Sequence, residues 1–108
     1  MIEARICKQN GDYFSFSASG HAGYAEAGSD IVCAAVSMLV INTANALDGL
    51  TENSLKGTED RDSGTLYFEF LQPPDEKGRL LIDAMLMGLK DVEKQYGSGF
   101  IKLITEGS

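Results

Sequence analysis

The chain has 108 residues, 44% hydrophobic and 23% charged, an ordinary globular composition that suits a single domain over 1–108. Sixteen acidic residues against nine basic ones give a net charge of −7, and the basic residues stand singly, which excludes the basic patch of a nucleic-acid binder. No basic leader precedes an apolar segment, and the longest apolar run, 31–41, is broken by Ser37 and too short to span a bilayer, so a cytoplasmic protein without membrane contact is expected.

The first predicted element is a strand over Ile2 to Lys8, with Ile2, Ala4 and Ile6 on one face and Glu3, Arg5 and Cys7 on the other. Asp12 to Ala18 alternates in the same way and groups Phe14, Phe16 and Ala18. Gln9-Asn10-Gly11 supplies turn residues between them, so the two strands read as an antiparallel hairpin. The next stretch, 20–30, holds Gly20, Gly23 and Gly28 and reads as a loop. Ser29 or Asp30 then caps a helix that runs to about Leu47, with Asp48-Gly49 as its stop. Apolar residues surround much of its circumference, among them Ile31, Val32, Val36, Leu39, Val40 and Leu47, so it is expected to be buried on more than one side, part of it in an oligomer contact.

Leu55 to Arg61 is a polar strand candidate, Asp62-Ser63-Gly64 a turn, and Thr65 to Leu71 a strand with Leu66, Phe68 and Phe70 on one face. Asp75 caps a second helix whose stripe is Leu81, Met85, Leu89, Val92 and Tyr96, with Gly97 beyond its end. Phe100 to Thr105 closes the chain as a strand. The order is ββα–ββα–β, an α+β fold with two helices packed on a largely antiparallel sheet.

A cysteine in an apolar helix is ordinarily a packing residue. Cys33 stands apart on three grounds: it falls in the first turn of the helix, a glycine-rich loop feeds it, and the chain's one histidine lies twelve positions earlier. In a first turn the unpaired N–H groups and the helix dipole favour thiolate over thiol. A loop that doubles back can bring His21 within reach of Cys33, where it would take the thiol proton and later return one to a leaving amine. The N–H groups at the same helix start could hold the developing oxyanion. Asp30 has two candidate roles, capping the helix or orienting His21. Ser37, one turn beyond Cys33, either touches the site or bonds back to its own helix.

Other chemistry is poorly supplied. One histidine and two cysteines are too few for a four-ligand zinc site without carboxylates, no Cys-x-x-Cys pair occurs, and no phosphate-binding glycine motif is complete. Neither metal nor cofactor is expected. Few contacts can pin a loop as rich in glycine as 20–30, so it should order only when a ligand docks, with Tyr24 as its one large anchor.

The run Gly20-His21-Ala22-Gly23-Tyr24-Ala25, followed by Gly28-Ser29-Asp30-Ile31-Val32-Cys33-Ala34-Ala35-Val36-Ser37, closely resembles the signature of the ribosomal-processing cysteine protease family, with His, Asp and Cys in register. The resemblance implies a bacterial protease that removes a short, apolar and aromatic N-terminal extension from a large-subunit ribosomal protein, ahead of a basic mature terminus. It implies that Cys33 and His21 form the catalytic pair, that Asp30 and Ser37 support the site, and that the glycine-rich loop moves with substrate. A homodimer is implied as well. The competing reading is a non-catalytic ribosome-associated module that uses the helix start to hold an anion or an acidic terminus.

Overall fold

The computed structural model describes all residues except 22, 24, 26–29 and 61. The elements follow the expected order: β1 Ile2–Gln9, β2 Asp12–Ser19, α1 Ile31–Leu50, β3 Leu55–Asp60, β4 Thr65–Phe70, α2 Glu76–Tyr96 and β5 Ile101–Gly107. The five strands form one sheet in the order β3-β4-β2-β1-β5, antiparallel throughout except where β5 runs parallel to β1. Ile2, Ala4 and Ile6 of β1 and Phe16 and Ala18 of β2 are buried together with the inward stripes of both helices. The opposite face of the sheet carries Glu3, Arg5, Cys7, Tyr67 and Glu69, and there Arg5 pairs with Glu106 at 2.6 Å.

The β1–β2 hairpin turns on Asn10 and Gly11, both at positive φ (55° and 82°), the pairing that a two-residue turn of this twist demands. Its strands do not alternate as cleanly as the sequence suggests. Cys7 pairs with Ser15 and Lys8 with Tyr13, so Phe14 is an extra residue, a β-bulge. The bulge reverses the alternation beyond it: Tyr13, not Phe14, joins Phe16 and Ala18 against the core.

Helix α1 runs to Leu50, past the expected stop at Asp48-Gly49. Leu47 is fully buried and anchors the last turn, and the Thr51 hydroxyl donates to the Leu47 carbonyl at 2.5 Å, moving the end to the residue that can cap it. By length and composition α1 could reach across a bilayer, but Val32, Val36, Val40, Thr43, Ala44 and Leu47 are buried in the domain. Its opposite side exposes Ile31 (49%), Met38 (65%) and Ile41 (39%). In α2 the buried seam is Gly78, Ile82, Met85 and Leu89, so Ile82 occupies the central place that the sequence pattern assigns to half-buried Leu81.

Tyr13 ties the hairpin to α2. Its hydroxyl donates to Asp83, and Arg79 on the same helix reaches Asp12 at 2.9 Å. Burial first, then the Asp83 carboxylate, pushes the Tyr13 phenol up to about 12. The folded state therefore holds this proton more tightly than the unfolded chain, whose phenol titrates near the ordinary 10. The resulting stability is complete below about pH 10 and is lost as pH rises toward 12. Tyr13→Phe should cost about 1 kcal/mol at neutral pH. It should also flatten the alkaline fall in the urea midpoint, leaving the part due to Tyr67, whose phenol is likewise raised by burial. Superimposable alkaline profiles for variant and parent would contradict this account.

Candidate active site

Asp30 is the N-cap of α1. Its Oδ1 accepts from the backbone N–H of Val32 and of Cys33, each at 3.0 Å, and its carbonyl accepts from Ala34 N–H at 3.1 Å. The cap fixes the first turn and so fixes Cys33, whose side chain is half-buried against the core. It also changes one expectation. The N–H groups of Val32 and Cys33 are already committed to the Asp30 carboxylate, so they do not offer a ready oxyanion hole, and an anionic cap offsets the dipole that would favour the thiolate. The counter-charge for a Cys33 thiolate has to come from elsewhere.

His21 stands at the exit of β2. His21, Cys33 and Ser37 together line two adjoining cavities. The first, about 440 Å³, continues past Gly23, Ala25 and Asp30. The second, about 180 Å³, runs under the end of the sheet past Gly20, Val36, Ile41 and Leu66, with Glu59 and Asp60 at its wall. Ser37 thus faces the site, one helical turn along from Cys33. Cys33 therefore borders two recesses, space that the residues flanking a scissile bond could fill. Of the loop positions singled out in the sequence, Gly20 and Gly23 line these cavities, whereas Tyr24 and Gly28 lie outside the described residues.

The second cysteine offers a contrast. Cys7 sits on the outer face of the sheet with its thiol 3.4 Å from Glu106 Oε1. Burial, reinforced by that carboxylate, pushes its thiol upward, the wrong direction for a nucleophile.

The wall made by β3, β4 and their turn was missed from the sequence. Asp62-Ser63-Gly64 was readable as a turn, but nothing local says what it faces. The sheet order decides that. β4 pairs with β2 with Ala18 opposite Leu66, and continuing this register brings residue 64 opposite residue 20, beside the histidine.

A thiol at a helix start and an imidazole that lines the same two cavities are the equipment of a cysteine hydrolase. The sequence profile of the family described as cysteine protease Prp matches residues 1–102. The ribosomal processing cysteine protease Prp of Bacillus subtilis (strain 168) is 36% identical over 101 residues, 89% of this chain and 90% of that protein. The protein of the same name from Staphylococcus aureus is 31% identical over 77 residues, 71% of this chain and 73% of its own. A crystal structure of the essential ribosomal processing protease Prp from S. aureus, with a covalently linked product peptide, superposes with a TM-score of 0.90 at 28% identity, covering 98% of this chain and all of that one. A second structure of that protease, with a substrate peptide, gives 0.85 at 27%, again over 98% of this chain. The chain belongs to the Prp family of cysteine proteases.

Proposed function

We propose that this protease removes the N-terminal extension of a bacterial large-subunit ribosomal protein precursor, with Cys33 as nucleophile and His21 as general base. The observation that carries the reading is the joint lining of both cavities by His21, Cys33 and Ser37. His21 takes the Cys33 proton, and the resulting imidazolium is the counter-charge that the capped helix start lacks. The thiolate adds to the scissile carbonyl. As that intermediate collapses, the C–N bond breaks, a thioester forms on Cys33, and the imidazolium hands its proton to the departing amine. Water, deprotonated by the same imidazole, then hydrolyses the thioester. Asp30 supports the site by fixing the turn that carries Cys33, and Ser37 by its place on the cavity wall.

The names of the relatives support ribosomal processing, and the peptides bound to the S. aureus protease support a peptide substrate. A ribosomal precursor as substrate puts the enzyme in the cytoplasm, and the net charge of −7 suits a basic target better than direct contact with nucleic acid. The test is to incubate the enzyme with an unprocessed precursor and read the products by intact mass. Loss of one discrete N-terminal segment is the expected result, and an unchanged precursor would refute the reading. The alternative of an anion-holding module is weakened at its own site, because the Asp30 carboxylate already fills the donors it would use.

The protease is further proposed to act as a homodimer. Ile31, Ala34, Met38 and Ile41 are exposed along α1 at alternating three- and four-residue spacing, and exposed Asn45 continues the row, the seam of a helix that packs against another. Light scattering at micromolar concentration should report a dimer, and Met38→Lys a monomer. A monomeric parent would end this part of the proposal.

A further inference from the structure

The turn between β3 and β4 touches the histidine directly. Gly64 has φ +67°, and a Cβ placed on it would stand 3.1 Å from His21 Cε1, 3.3 Å from His21 Nε2 and 3.2 Å from the Gly20 carbonyl oxygen. The Cε1–Nε2 edge of the imidazole therefore lies against a backbone with no side chain to hold it off. The turn that presents this edge is itself braced. Asp60 Oδ1 accepts from the N–H of Asp62 at 3.0 Å and of Ser63 at 3.4 Å, and the Ser63 hydroxyl donates to Thr65 Oγ1 at 2.9 Å. His21, by contrast, is exposed and sits next to Gly20 in a segment with little bulk of its own.

We infer that Gly64 is a positioning residue: the β3–β4 turn is the seat on which His21 rests, and it sets the distance and tilt of the imidazole relative to Cys33. The inference rests on the reading of His21 as the base. Glycine serves here for two separable reasons. Its φ is one that other residues adopt at a cost, and its missing Cβ leaves room for the ring. Only the second reason concerns catalysis.

Gly11 allows the two to be separated. It also sits in a hairpin turn at positive φ, +82°, but a Cβ there would meet nothing within 4 Å. Gly11→Ala carries the backbone strain alone, whereas Gly64→Ala carries the same strain and presses a methyl group on the imidazole and on the Gly20 carbonyl beside it. Both variants should lower Tm by similar amounts. Gly64→Ala alone should lower kcat, by about tenfold for a displacement of a few tenths of an ångström, with KM little changed. Because the chain has a single histidine, its imidazole proton resonances report His21 without ambiguity. Their chemical shifts should move in Gly64→Ala and stay at the parent values in Gly11→Ala. Should Gly64→Ala fail to fold, Gly64→Asn tolerates the left-handed backbone and still carries the offending Cβ.

A folded Gly64 variant with parent-like His21 resonances would overturn the inference whatever its rate, and so would one with moved resonances and an unchanged kcat. Failure of the base assignment itself is read separately, from activity retained by His21→Ala in the same assay.

Discussion

Cys33→Ala is expected to leave the chain folded and to stop cleavage, with a loss of at least about 10³-fold in kcat. The loss is large because the sulfur makes and breaks the covalent bond on which both halves of the reaction depend, and no neighbouring side chain can replace it. The structural cost is small. One atom leaves a half-buried position, so about 1 kcal/mol of stability is at stake, and the capping bonds from Asp30 use the backbone N–H of residue 33, which alanine keeps. Cys7→Ala should retain most of the rate, since that thiol lies on the outer face of the sheet beside Glu106. The same contrast should appear without mutagenesis. At neutral pH an alkylating reagent should modify Cys33 well before Cys7, whose thiol is pushed upward by burial. Near-parental turnover by Cys33→Ala would remove the nucleophile assignment altogether.

The second large effect is expected at His21. With the first-turn N–H groups of Val32 and Cys33 held by Asp30, a Cys33 thiolate would depend on an imidazolium partner more than it would at an open helix start. His21→Ala should lower kcat by about 10²–10⁴-fold. The parent rate should rise through an acidic limb and fall again at higher pH, and both limbs belong to the Cys–His pair, not to one residue alone. In His21→Ala the residual rate should instead follow deprotonation of an isolated thiol and climb steadily with pH. A bell-shaped profile that survived loss of the imidazole would show that another group does the proton transfer.

The element order and the grouping of the candidate site residues were legible in the sequence because both are written locally. Period-two and helical patterns mark the strands and helices, and a histidine, an aspartate and a cysteine fall in one short segment around a helix start. What was not legible depended on pairing. Phe14 has the right chemistry and parity for the core, yet the bulge at Cys7 and Lys8 hands its place to Tyr13, and a bulge leaves no mark in the residues on either side. The α1 end was missed because Gly49 reads as a stop, while buried Leu47 and the Thr51 hydroxyl carry the helix past it. The far wall of the cleft was invisible for a similar reason. Glu59, Asp60 and Gly64 lie some forty residues from His21 in the chain, and only the pairing of β4 with β2 brings them to it.

The single parallel pair has a consequence for how the molecule is made. β1 is the second strand from one edge of the sheet, and its outer neighbour is the last element of the chain, with Ile2 beside Ile101 and Lys8 beside Gly107. β1 is synthesised well before β5, and it keeps one row of amide and carbonyl groups unpaired until the residues of β5 emerge. Such an edge is the kind on which other chains add. The partners Ile2 and Ile101 are 99 residues apart (101 − 2), so closing this pair carries a high entropic cost and belongs late in folding. The hairpin and the helices can assemble during translation, but the edge beside β1 is sealed only after β5 has left the ribosome.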